Sequence, residues 1–266
     1  MVAFGVVALV SLGLARKLGV FTRGGLDRGR LEAVLKRPSP VWLALAATAF
    51  LGQAIGLAVA QGTGLGGEGF DAEARLRLVA MGVGVGIAVT LAVVAERLAP
   101  RSGLAFRRRD LGVGLLTFGL IAPVVAFVAL VAAQIGAWIT GPAEGAAHET
   151  LRALVEQRAN PSAWALIAVV VIGAPIVEEI VYRGFLQSSL LAASKSAWVA
   201  IGVTSVVFTL MHWEALPPDG KHALAPLFAL SVMLGVVVER TGRVWPAVVV
   251  HALFNASNVG VAFAIA

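Results

Sequence analysis

Apolar positions in this chain gather in long runs, and short linkers between the runs hold most of the charge. Crossing the hydrocarbon core of a bilayer takes about 20 apolar residues in a helix. Eight runs fit that description: Met1–Ala15, Val41–Ala60, Leu78–Ala95, Leu111–Thr140, Ser162–Leu191, Ala197–Trp213, Ala223–Val238 and Val244–Ala266. The first is short enough to invite a signal-peptide reading. It has no basic stretch ahead of its apolar core and no small-residue cleavage site after it, so it is read as a span. The pattern predicts an all-α protein, a polytopic transmembrane helix bundle of about eight spans.

Composition agrees. Of 266 residues, 59% are apolar and 14% charged, against roughly 25% charged in a soluble domain. Mean hydropathy is +0.89. So few charges cannot coat a water-soluble globule, and so apolar a chain is not disordered. Thirty glycines suit close helix packing in lipid. Without cysteine there is no disulfide, thiolate metal site or cysteine nucleophile.

The net charge of +6 changes the picture through its placement. Lysine and arginine crowd the linkers 16–37 (Arg16, Lys17, Arg23, Arg28, Arg30, Lys36, Arg37) and 97–109 (Arg97, Arg101, Arg107, Arg108, Arg109). Lys195, Arg240 and Arg243 fall in the linkers of the same parity, whereas the alternate linkers hold Arg75, Arg77, Arg152, Arg158 and Lys221. Basic residues at the ends of apolar runs are a topology signal rather than a nucleic-acid stripe. They predict cytoplasmic 16–37 and 96–110 linkers and both termini outside.

Two glycine patterns, Gly62–Gly69 and Gly82, Gly84, Gly86, do not sit in a βαβ unit and are read as a loop and a helix-packing groove. Residues 144–158 read as a short surface helix.

Ionisable groups at depth appear only in the second half. The fifth run holds Glu178, Glu179 and Arg183, the sixth His212, and the eighth His251 with Asn255. A central charged residue costs about 2.5–3.5 kcal/mol on the insertion scale, so such groups face the bundle interior and carry function or a structural clamp. Glu179 and Arg183 are four apart and predict an intrahelical ion pair. Glu178 is turned about 100° away from that pair. His251 and Asn255 share one face, as do Phe208 and His212. Counted in from the linkers, these groups differ in depth by roughly two turns.

A carboxylate and an imidazole can hold a water and take its proton, and a second imidazole with an amide can donate to an oxyanion. Together they describe general-base hydrolysis of an amide. The competing assembly is a zinc site with Glu178, His212 and His251 as ligands.

E-E-x-x-x-R at 178–183, F-x-x-x-H at 208–212 and H-x-x-x-N at 251–255, with the linker GVVVERTG at 235–242, resemble the CPBP family of intramembrane glutamic endopeptidases. That group contains type II CAAX prenyl proteases and Abi-type bacteriocin-processing or immunity proteins. The likeness covers residues 160–262 and divides the chain into N-terminal spans 1–160, which resemble nothing specific, and a catalytic core 161–266. It implies that Glu178 and His212 activate the water and that His251 and Asn255 form the oxyanion hole. Glu179, Arg183 and Phe208 orient the site. It also implies no cofactor and a membrane-associated or lipid-linked peptide or protein substrate. The short loops and small size of the chain point to the inner membrane of a prokaryotic cell. A non-catalytic immunity or scaffold protein, and a proton-coupled carrier using Glu178, are the other classes considered. The carrier is disfavoured because the ionisable groups show no inverted repeat.

Overall fold

A computed structural model describes residues 2–17, 27–62, 64, 68–140 and 149–265. Arg23, much of the 62–69 glycine run, residues 144–148 and both terminal residues lie outside that set. Among the described residues there is helix and no strand. The helices are α1 (Val2–Lys17), α2 (Arg28–Leu35), α3 (Ser39–Gly62), α4 (Phe70–Leu98), α5 (Arg109–Thr140), α6 (Glu149–Glu156), α7 (Ser162–Ser194), α8 (Ala197–Met211), α9 (Leu224–Thr241) and α10 (Trp245–Ile265). A 3-10 turn, Pro218–Ala223, leads into α9.

Six of these elements are long and apolar enough to cross a membrane: α3, α4, α5, α7, α9 with its leading turn, and α10. The apolar helices α1 and α8 are shorter, at 16 and 15 residues, or roughly 22–24 Å. Together they make the eight apolar helices of an integral membrane bundle. The buried share of the span window separates lining from core: 44% for α7 and 50% for α9, against 22–28% for α3, α4 and α5. Exposed Trp138, Trp164 and Trp213 stand near one set of helix ends, where amphipathic rings anchor a membrane protein. The helix expected within 144–158 is present as α6, tied down by fully buried Leu154 against Ala74, Ala163, Leu166 and Val259. Of the three spaced glycines on α4, only Gly84 faces α3, at Gln53; a side chain at Gly82 or Gly86 would meet nothing.

At the other, basic set of ends the linkers are knitted together. Gly103 and Gly242 both have positive φ, 89° and 66°. A Cβ on Gly103 would lie 2.1 Å from the Gly242 carbonyl oxygen, so the two turns touch backbone to backbone. Across this contact Val244 N donates to Gly103 O and the Trp245 indole to Leu104 O. Arg243 pairs with both carboxylate oxygens of Asp110. The carboxylate of Glu96 holds the covering loop from below, accepting from Ser102 Oγ and from the amides of Arg101 and Leu104. The start of α10 is therefore roofed by residues 99–106, and Val244 and Ala247 are buried. α10 thus begins beneath covering residues rather than at the surface.

Candidate active site

Helix α7 carries the centre of the site and is wound unevenly. Two stretches, Val169–Gly173 and Glu179–Leu186, have π winding inside the otherwise α-helical run. Such bulges concentrate at functional sites. The first has a chemical cause. Pro175 has no N–H to give, so the carbonyls one turn before it cannot all be paired in α register. The second begins at Glu179 and buries seven consecutive residues, Glu179 through Phe185.

His251 of α10 sits between the two glutamates. Its Nδ1 is 2.9 Å from Glu179 Oε1, and its Nε2 is 3.9 Å from Glu178 Oε2. Glu179 Oε1 also accepts from Arg183 Nη1 at 3.1 Å, both side chains being fully buried. Arg183 then reaches α9, donating through Nη2 to Ser231 Oγ at 2.8 Å. The predicted ion pair of Glu179 and Arg183 is thus observed. Glu178, about 100° round the helix, still faces His251, because the imidazole presents one nitrogen to each carboxylate.

Phe208 is the apolar hub. Its ring lies 4.5 Å from the Arg183 guanidinium, and 4.6 and 6.0 Å from the rings of His212 and His251. Tyr182 meets it edge-on at 5.2 Å. Its carbonyl oxygen lies 2.8 Å from His212 Nδ1. A carbonyl can only accept, so Nδ1 of His212 carries a proton, and in the neutral ring the lone pair is on Nε2. Nδ1 of His251 likewise donates, here to a carboxylate. The two imidazoles therefore differ in partner: a neutral carbonyl for His212, an anionic oxygen for His251.

Exposure sorts the groups. Glu179 and Arg183 are sealed and His251 nearly so, whereas the Glu178 side chain keeps 22% of its surface. His212 is half-buried. Six of the seven residues singled out from sequence, Glu178, Glu179, Arg183, Phe208, His212 and His251, are linked in this contact chain. Asn255 lies one helical turn beyond His251, half-buried, and donates through Nδ2 to Val170 O on α7 at 2.8 Å. Among the described residues no three His, Asp or Glu side chains are grouped as a cation site requires, so the zinc assembly of Glu178, His212 and His251 gains no support from the geometry.

Five participants, Arg30, Glu239, Ser188, Gln187 and Ser231, were not singled out from sequence. Beside the site, Arg30 of α2 is fully buried, faces Glu239 at 3.2 Å and donates to the Arg183 carbonyl and Ser188 Oγ. Gln187 donates to the other side of the same carboxylate oxygen of Glu239, at 2.7 Å. With Ser231 they form a polar layer under the π-wound segment. Arg30 and Arg243 look like juxtamembrane topology charges in the sequence; the structure also gives each a buried acidic partner. A signal was available for one of them: Glu239 is an acid at the end of an apolar run, where a cationic partner is needed.

Residues 160–257 match the family model described as Type II CAAX prenyl endopeptidase Rce1-like. Over these residues the chain is similar to the CAAX protease family. No curated protein and no solved structure matches the chain. The matched stretch begins at the start of α7 and ends two residues past Asn255, so it contains every candidate site residue. It does not contain Arg30 or Asp110, which means that the N-terminal half completes the support of this stretch.

Proposed function

We propose that the protein is an integral-membrane endopeptidase that hydrolyses a peptide bond with a water activated by Glu178 and His212. The observation that carries this reading is the His251 imidazole held between Glu179 and Glu178, with the partly exposed Glu178 as the carboxylate free to do chemistry. A water about 2.8 Å from both Glu178 Oε2 and His251 Nε2 would see them at an angle of about 90°, within hydrogen-bonding reach of each. Glu178 takes a proton from that water, and the oxygen adds to the substrate carbonyl carbon. His212, with its Nε2 lone pair, accepts from and orients the same water. As the tetrahedral oxyanion forms, a His251 doubly protonated between its two carboxylates donates to it through Nε2–H, and the Glu179 carboxylate against its Nδ1–H balances the imidazolium charge. The second Nδ2 hydrogen of Asn255 is the other donor. The proton held by Glu178 then passes to the leaving amine, and the C–N bond breaks.

The substrate is a membrane-associated or lipid-linked peptide or protein. We place the protein in the inner membrane of a prokaryotic cell, and the fifteen lysines and arginines of the basic linkers, against five opposite, support an orientation with both termini outside. The test uses purified protein and a fluorogenic peptide library, with exhaustive chelation and metal analysis in parallel. Cleavage that survives chelation and disappears in Glu178→Gln supports the reading. One equivalent of zinc per chain that tracks activity would overturn the metal-free mechanism, and cleavage undiminished in Glu178→Gln would overturn the role of the glutamate.

A further inference from the structure

The carbonyl that Asn255 touches has lost its helical partner. In α register Val170 O would accept from Ala174 N–H, but that amide is bonded to Val169 O. In π register Val170 O would turn to residue 175, which is proline and has no N–H. Inside a bilayer there is no bulk water to take up the slack, and an unpaired backbone carbonyl is costly there. The side chain of Asn255 meets this carbonyl at 2.8 Å from another helix, 85 residues away in sequence.

We propose that Asn255 has a positioning role besides its part as oxyanion donor: one N–H of its amide replaces the N–H that Pro175 withholds from Val170, and so pins the first π turn of α7 to α10. Pro175 and Asn255 act as one latch. Glu178 follows Pro175 by three residues, and helical side chains lean toward the N-terminus of their helix. His251 precedes Asn255 by one turn on α10. Fixing Val170 against Asn255 therefore fixes the spacing of Glu178 and His251 on the same two helices. The catalytic part of this inference rests on the proposed hydrolysis; the latch itself does not.

A double-mutant cycle over Asn255→Ala and Pro175→Ala tests it with two readouts. Alanine at 175 restores a backbone N–H, so Val170 O no longer depends on Asn255. Asn255→Ala alone should lower the thermal midpoint in detergent by roughly 3–6 °C. In the Pro175→Ala background the same change should cost about none of this. On the peptide library, Asn255→Ala alone should reduce kcat with little change in KM. The reduction should be smaller by on the order of tenfold when Pro175→Ala is also present. Equal thermal losses in both backgrounds would overturn the latch. A thermal cycle that couples while kcat falls equally in both would overturn the positioning of Glu178 and leave Asn255 an oxyanion donor. If the wild type cleaves nothing, the proposed hydrolysis fails, and the thermal cycle still decides whether the latch exists.

Discussion

The pairing of Glu179 with Arg183 was legible because one helix fixes it: residues four apart share a face whatever surrounds them. The ring contact of Phe208 with His212 was legible for the same reason. What one helix cannot fix is the third partner. Nothing in E-E-x-x-x-R says that His251 takes Glu179 through Nδ1 while facing Glu178, or that Ser231 receives the Arg183 guanidinium. The sealed position of the pair gives a stability prediction. Removing one partner strands a buried charge, which costs about 3–5 kcal/mol. Arg183→Ala should therefore reduce the yield of folded protein and its thermal midpoint in detergent, as well as its activity. An unchanged midpoint would show that the pair does not hold the fold. Ser231→Ala leaves the ion pair in place and removes one charge-assisted hydrogen bond, so a smaller loss of about 1.5–3 kcal/mol is expected in the same assay.

Among elements, the apolar runs located all eight helices of the bundle, because length and hydropathy are properties of a segment alone. The π turns were not legible beyond the presence of Pro175, since i→i+5 winding depends on what captures the released carbonyls. The burial of α2 was also hidden. Its sequence, RGRLEAVL, is mostly polar and reads as a linker, yet Asp27 caps it, Arg30 passes under α7, and Val34 is fully buried. Arg30 and Glu239 are a buried pair whose members depend on each other. Each of Arg30→Met and Glu239→Leu alone should destabilise the protein substantially. Arg30→Met with Glu239→Leu together should cost much less than the sum of the single losses, because neither charge is stranded. Chemical or thermal unfolding of the four proteins reads the coupling directly, and additive losses would mean that the two residues act separately.

For the whole molecule, the asymmetry of basic linkers and the knitted basic end describe one architecture. The same set of ends carries the positive charge, the roof over α10 and the polar layer beneath the π-wound segment. This predicts that the C-terminus faces away from the cytoplasm. Alkaline phosphatase fused at Ala266 should be active and a green fluorescent protein fusion dark; the opposite pair of results would invert the topology. The central claim is that Glu178 activates a water to cut peptide bonds of membrane substrates. Its most direct test compares quantitative peptide termini in membranes from cells expressing the wild type and Glu178→Gln, at matched levels of the two proteins. Specific new termini present with the wild type should vanish in Glu178→Gln, while their uncut precursors accumulate. Identical termini and precursor levels in the two membranes would contradict it.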